Sequence, residues 1–188
     1  MKMLVLLAAA GLCALLVASG SVHFYISRSP ALGGGPSPVV QDVLALQDAT
    51  ATTNVGDARA GVLSLIHRAA AMNAGAAALV LRRRLQFRAN RAAAEFARGR
   101  QALAAVPVQT PPGSTCREAA LRLAARSETL YRTLAAEIAS TRATWQAVKH
   151  FRAGSGAAMR SYITEARECL AEVPPADRGP VARLMSAL

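Results

Sequence analysis

From Ala58 to about Val106 the chain runs without a proline through alanine, leucine, arginine and other strong helix formers, and that restricts it to few folds. Val62, Leu65, Ala69, Met72, Ala76 and Leu79 step by three and four along this stretch, an amphipathic stripe that resumes as Leu85, Ala92, Phe96 and Leu103. The pattern predicts one long helix, N-capped by Asp57 and stopped by Pro107 and a Pro111-Pro112-Gly113 turn. Before it, Val39–Ala49 predicts a short helix with Val40, Val43, Leu44 and Leu46 on its apolar side, broken by Thr50–Asn54 and Gly56.

After the proline turn, Thr115 and Glu118 have the spacing of a capping box. The helix they would open carries a near-heptad stripe, Leu123, Leu130, Leu134, Ile138, Thr141, Trp145 and Val148, close to a coiled-coil seam. Glu118→Arg122 and Glu128→Arg132 lie on the opposite surface, both in the favourable i,i+4 order. Gly154-Ser155-Gly156 is expected to end or hinge this helix. Ala157–Ala171 forms another, Pro174-Pro175 stops it, and a short helical turn closes the chain from Asp177. No alternating strand pattern, Asn-Gly hairpin or repeat of 20–50 residues is present. The expected class is all-α, an elongated helical bundle or coiled-coil-like hairpin over residues 39–188.

Residues 1–28 have a different character. Lys2 precedes an apolar run from Met3 to Ala18, and a softer tail reaches Phe24, Tyr25, Ile26 and Arg28. As a signal peptide it would be cleaved after Gly20. As a membrane anchor, Met3–Ile26 makes about 36 Å of helix at ~1.5 Å per residue, enough for a ~30 Å hydrocarbon core. Both readings export the rest, to a bacterial-type periplasm: held at the inner membrane by a single N-terminal anchor, or released after cleavage. Residues 29–38, with three glycines and three prolines, read as a linker. In a further variant, Ala60–Leu81 followed by Arg82-Arg83-Arg84 forms a second span, against which Arg68 and the alanine content weigh.

Cys13 lies in the leader, leaving Cys116 and Cys169, which in an exported chain read as one disulfide. No histidine or CxxC accompanies them, so zinc and thioredoxin-like chemistry are poor readings. Geometry objects to the simplest hairpin. With a turn at Gly154–Gly156, Cys116 stands about 54 Å and Cys169 about 18 Å from it at ~1.5 Å per residue. The difference far exceeds the ~7 Å Cα limit of a disulfide. Either the long helix breaks, near Ser127 or Ser140-Thr141, or the cysteines pair between chains, or both are free.

Catalytic signals are weak. No GxSxG, HExxH, Walker, GxGxxG or EF-hand pattern occurs, and His67 and His150 stand apart from one another. Glu165 and Glu168 share a helix face, but no lining of aromatic or polar residues accompanies them. The expected protein is a non-enzyme with neither cofactor nor metal. Charge is more informative: Lys+Arg number 22 against 11 Asp+Glu, a net +11, and all but Lys2 and Lys149 are arginine. A GC-rich genome alone can produce such arginine and alanine bias. Arg82, Arg83, Arg84, Arg88, Arg91, Arg98 and Arg100 face only Glu95 across 19 residues, a basic patch suited to anionic lipid headgroups, wall polyanions or an acidic partner. Export disfavours nucleic acid.

Aromatics are only 4% of the chain and the core is built largely of alanine, leucine and valine, so burial from a partner or from self-association is expected. The seam for it would be Leu123, Leu130, Leu134, Ile138, Trp145 and Val148. The sequence thus points to an envelope-anchored or periplasmic structural or interaction protein, a scaffold or assembly component, with a ligand-sensing helical bundle as the rival. Leader, linker, extended helices and the late Cys116 and Cys169 together resemble the inner-membrane spanins of lysis phages. That resemblance implies a coiled coil bridging the periplasm, disulfide-linked between chains.

Overall fold

A computed structural model describes residues 35–71, 76–140 and 144–186. The leader and most of the linker lie outside them. Among the described residues the secondary structure is all helical, without strands. The helices are α1 (Pro38–Ala51), α2 (Val55–Ala71), α3 (Ala76–Ala105), α4 (Pro111–Ser140), α5 (Thr144–Glu172) and α6 (Pro175–Met185). Chain contacts divide the molecule after Gly35, and Pro36–Leu188 forms one compact unit.

Three long helices, α3, α4 and α5, run antiparallel to their neighbours, with α4 between the other two. The short helices cover the ends of this layer. α2 doubles back on α3 and touches α5, while α1 and α6 pack on each other at the far end, α1 also reaching α3 and α4. A core cluster joins Val62 and Ile66 of α2, Leu85 and Ala89 of α3, Leu134 and Ile138 of α4, and Val148 and Phe151 of α5. Through its middle run Phe96, Tyr131 and Phe151, one ring from each long helix, with successive centroids 5.4 and 5.1 Å apart. The far end buries Val43 and Leu46 of α1 and Val181 and Leu184 of α6.

The long 58–106 helix is two helices. α2 stops at Ala71 and α3 starts at Ala76, and their faces meet, with Gly99 beside Val55 and Gly61 beside Arg88. Helix propensity does not register such a reversal, because a tertiary contact, Val62 and Ile66 on Leu85 and Ala89, supplies the reason for it. The variant with a second span over Ala60–Leu81 would draw on two helices, α2 and α3, that pack against each other. Among the described residues no helix is long and apolar enough to cross a membrane. Of the expected stripe, Val62, Leu85, Ala92 and Leu103 are buried, whereas Leu79 is 62% exposed.

Helix starts also differ from expectation. The Asn54 carbonyl accepts the Ala58 N–H at 3.0 Å, so Asn54 opens α2 and Asp57 sits in its first turn, where its charge favours the dipole. Thr110, not Thr115, opens α4: its hydroxyl accepts the Gly113 N–H at 3.0 Å and its carbonyl the Ser114 N–H at 3.0 Å. Pro111 and Pro112 occupy first-turn positions that have no intrahelical donor role, so the presumed turn is a helix start. Thr115 instead donates to the Glu172 carboxylate at 2.8 Å. Gly113 is required by crowding, since a Cβ there would collide with the Asp42 carboxylate.

Gly154 and Gly156 lie inside α5 and make no hinge. An ideal Cβ at Gly154 would come 2.6 Å from Leu130 Cδ1, so the glycine permits a close approach of α5 to α4. The reversal instead falls between Ser140 and Thr144, one of the two breaks the sequence offered. That resolves the cysteine geometry: Cys116 lies 24 residues before Ser140 and Cys169 lies 25 after Thr144. They form an intrachain disulfide with Cα atoms 5.0 Å apart, both fully buried. The interchain link implied by the spanin resemblance is therefore unavailable to these two cysteines.

The closed loop spans 53 residues, for which the chain-entropy relation gives about 4 kcal/mol of stabilisation. Cys116→Ser with Cys169→Ser should lower the unfolding free energy by an amount of that order in urea titration. The unmodified monomer should migrate faster before reduction than after. A reducible dimer, or identical migration with two alkylatable thiols, would contradict the pairing.

A candidate cationic groove between α2 and α3

The acidic residues explain the surface. Asp42, only 4% exposed, accepts the backbone N–H of Gln109 and of Thr110, both at 2.9 Å, and the Thr110 hydroxyl at 2.6 Å. Glu95, 2% exposed, accepts the Asn54 N–H at 3.3 Å and pairs with Arg98 at 2.8 Å. Glu128, expected on an outer face, is 6% exposed and clasps Arg100 at 3.1 Å and Arg132 at 2.7 Å. Glu165 pairs with Arg122 at 3.0 Å and Arg126 at 2.6 Å, and Glu118 adds a 3.4 Å contact to Arg122. Glu137 meets the His150 ring at 3.2 Å. Asp42, Glu95, Glu128 and Glu165 are thus spent inside or between helices.

Burial works against the charge of Asp42, but the Thr110 hydroxyl and the two backbone N–H groups outweigh it and hold its carboxyl below the ordinary range. Burial likewise opposes ionisation of Glu165, and the hydrogen bonds from Arg122 and Arg126 overcome it, again lowering the value. A carboxylate held ionised between two guanidinium groups is poorly placed to donate a proton, and Glu168 beside it is exposed. Burial pushes the Tyr162 phenol up to about 12, and its hydroxyl donates to the Met185 carbonyl at 2.6 Å, tying α5 to α6. Among the described residues no three His, Cys, Asp or Glu side chains gather as a metal site.

The seven arginines of the basic patch divide into two sets. Arg82 donates from Nε to the Ile138 carbonyl at 2.7 Å and from Nη2 to that of Ala139 at 3.3 Å, capping the C-terminal end of α4. Arg98 and Arg100 are engaged by Glu95 and Glu128. Arg83, Arg84, Arg88 and Arg91 are exposed and take no part in these pairs. Three of them line an open groove of about 490 Å³, with Phe87 beside them on α3 and Gly61, Ser64 and Leu65 opposite on α2. Gly61 contributes no side chain, so the Arg88 chain lies across the space a Cβ would face. Sequence reasoning passed over Phe87; its signal was an aromatic ring set at i+4 from Arg83 and i−4 from Arg91.

The expected seam lies elsewhere. Leu134, Ile138 and Val148 are 1%, 0% and 3% exposed, facing α2 and α3 of their own chain. Leu123 and Leu130 are half-buried, Leu130 against the same core, and Trp145 is 56% exposed on the following helix. A partner could reach the buried three only by displacing α2 or α3.

The two depressed carboxylates set the acid response. Each has a folded-state value below its unfolded one, so each contributes stability that is complete above the ordinary carboxylate range and is lost as pH falls through the folded value. Urea unfolding followed against pH should show a plateau near neutrality and a decline below about pH 4. Asp42→Asn should cost about 1–3 kcal/mol at neutral pH and shallow that decline; an unchanged acid slope would contradict the capping role. No family model, curated protein or solved structure matches this chain.

Proposed function

We propose that this protein is a non-enzymatic interaction module of the bacterial-type cell envelope, a scaffold or assembly component that engages an anionic partner through the arginine face of α2 and α3. The observation that carries this reading is the division of charge: Asp42, Glu95, Glu128 and Glu165 are consumed by internal ion pairs and caps, while Arg83, Arg84 and Arg88 line an open groove and Arg91 is exposed on the same helix. Such a face concentrates positive potential. The leader Met3–Ile26 and the Cys116–Cys169 disulfide support an oxidising compartment reached by export. Self-association through Leu134, Ile138 and Val148 is disfavoured by their burial. A groove of about 490 Å³ also favours a second reading, a bundle that senses a small anion. A ligand of that kind would raise the thermal midpoint in proportion to the logarithm of its concentration.

Retention of the full-length, detergent-solubilised protein on an immobilised polyanion tests the face. Arg83→Glu/Arg84→Glu/Arg88→Glu should elute at clearly lower salt than Arg152→Glu/Arg160→Glu/Arg167→Glu, which changes net charge equally on α5. Equal elution of the two would leave net charge as the whole effect and end the site reading. Compartment is tested separately: alkaline phosphatase fused after residue 60 and after residue 110 should be active in both fusions. Inactivity at both would remove the envelope from the proposal.

A further inference from the structure

Three of the most exposed large apolar side chains of the protein share a helix face with its free arginines. Leu79, Val80 and Phe87 are 62%, 52% and 66% exposed. At 3.6 residues per turn they fall on the same half of α3 as Arg83, Arg84 and Arg88, opposite the buried Leu85, Ala89 and Ala92. On α3 itself no acidic residue precedes Glu95, which is turned inward, and the carboxylate on the α2 side is Asp57, exposed one turn before Gly61. On α2, exposed Arg68 stands one turn beyond Ser64 at the groove. Apolar side chains set among unpaired cations are the mark of an interfacial helix.

Resting on the interaction reading above, we infer that this face docks on the surface of an anionic phospholipid bilayer. The guanidinium groups of Arg83, Arg84 and Arg88 match lipid phosphates in fork geometry, two donors to two oxygens. Phe87, Leu79 and Val80 then leave water for the headgroup–acyl boundary, which a soluble polyanion could not offer them. A protein partner fits less well. Stable protein interfaces cover about 800 Å² on each side, and this patch amounts to three apolar side chains over roughly two and a half turns of helix. A fluid bilayer demands no such shaped area. Each arginine near an anionic membrane surface strengthens binding about fivefold, so losing three should weaken it about 100-fold and reversing them to glutamate by more than that.

The test uses the full-length chain in vesicles, with a reporter at the inserted position. Trp145 is the only tryptophan, so Trp145→Phe with Phe87→Trp makes emission specific to this face. In phosphatidylcholine mixed with phosphatidylglycerol, the reporter should shift to the blue and be quenched by brominated acyl chains. In phosphatidylcholine alone it should do neither, although the leader is present in both. Arg83→Glu/Arg84→Glu/Arg88→Glu should abolish the response with far-UV helicity unchanged, and high salt should abolish it without any arginine substitution. Identical emission in the two vesicle types would overturn the inference, as would an equal shift with soluble glycerol phosphate, which would assign the face to a free anion. If polyanion retention still depends on the face while the reporter ignores lipid, docking on the bilayer fails and the interaction reading stands.

Discussion

Every other long element leans on α4, and both ends of α4 are held by side chains from elsewhere in the chain. At its start, Asp42 reaches from α1 to the N–H groups of Gln109 and Thr110, just ahead of the first turn, and to the Thr110 hydroxyl that accepts the Gly113 N–H. At its end, the Arg82 guanidinium covers the carbonyls of Ile138 and Ala139. The Cys116–Cys169 bond adds a covalent tie from the first turns of α4 to the last of α5. These contacts fix register as well as position. If α4 slid one turn along α3, Arg82 would lose its carbonyls and Asp42 its donors together, so neither neighbour can shift independently.

A core short of large side chains makes such ties necessary. Ala58, Ala89, Ala92, Ala93, Ala119, Ala120, Ala124, Ala135 and Ala147 are all buried. Each removes little apolar area from water, and the compensation is the close approach of helix backbones that alanine and glycine permit. Gly113 and Gly154 are the extreme cases, one against Asp42 and the other against Leu130. The larger residues are concentrated where three or four helices meet, as in the Phe96–Tyr131–Phe151 series. Within the chain, burial comes from its own returning helices, α2 on one end and α1 with α6 on the other.

The all-α class was legible in the sequence, and Cys116 with Cys169 as candidates for a disulfide; whether that bond closes within one chain, and where the chain turns back, stood only as options among several. Helix formers, proline placement and the apolar stripes specify helices almost to their ends, since those are local properties. The packing of α2 back on α3 is a different kind of event, decided by Val62 and Ile66 joining Leu85 and Ala89 in one core, and local propensity is blind to it. The proline turn misled for the opposite reason. Pro111-Pro112-Gly113 breaks a helix from within but suits the first turn of a new one, and only the Asp42 carboxylate, 67 residues upstream of Gln109, makes the difference visible. The near-heptad stripe was real on α4, where Leu134 and Ile138 are buried, and failed at Trp145, which belongs to another helix. Of the basic patch, position along the chain was evident, while the division between capping, paired and outward arginines depended on carboxylates distant in sequence.

That division carries the argument about function beyond composition. A biased genome can enrich a chain in arginine, but bias alone gives no reason for Glu95 and Glu128 to be buried beside Arg98 and Arg100 while Arg83, Arg84 and Arg88 stand out around Phe87. Burying a carboxylate costs free energy unless a cation and hydrogen bonds accompany it, so each inward Glu fixes an arginine as its structural partner. With 11 acidic residues for 22 basic ones, the arginines left over must face water. Where they gather is then set by helix geometry. Among the described residues, the α3 face opposite Leu85 and Ala89 is bordered by α2 only across the groove and carries no carboxylate of its own, and it also carries the apolar side chains that the core leaves out. A surface that is cationic and apolar at once is unfavourable in water alone, and an anionic, partly apolar partner relieves both terms together.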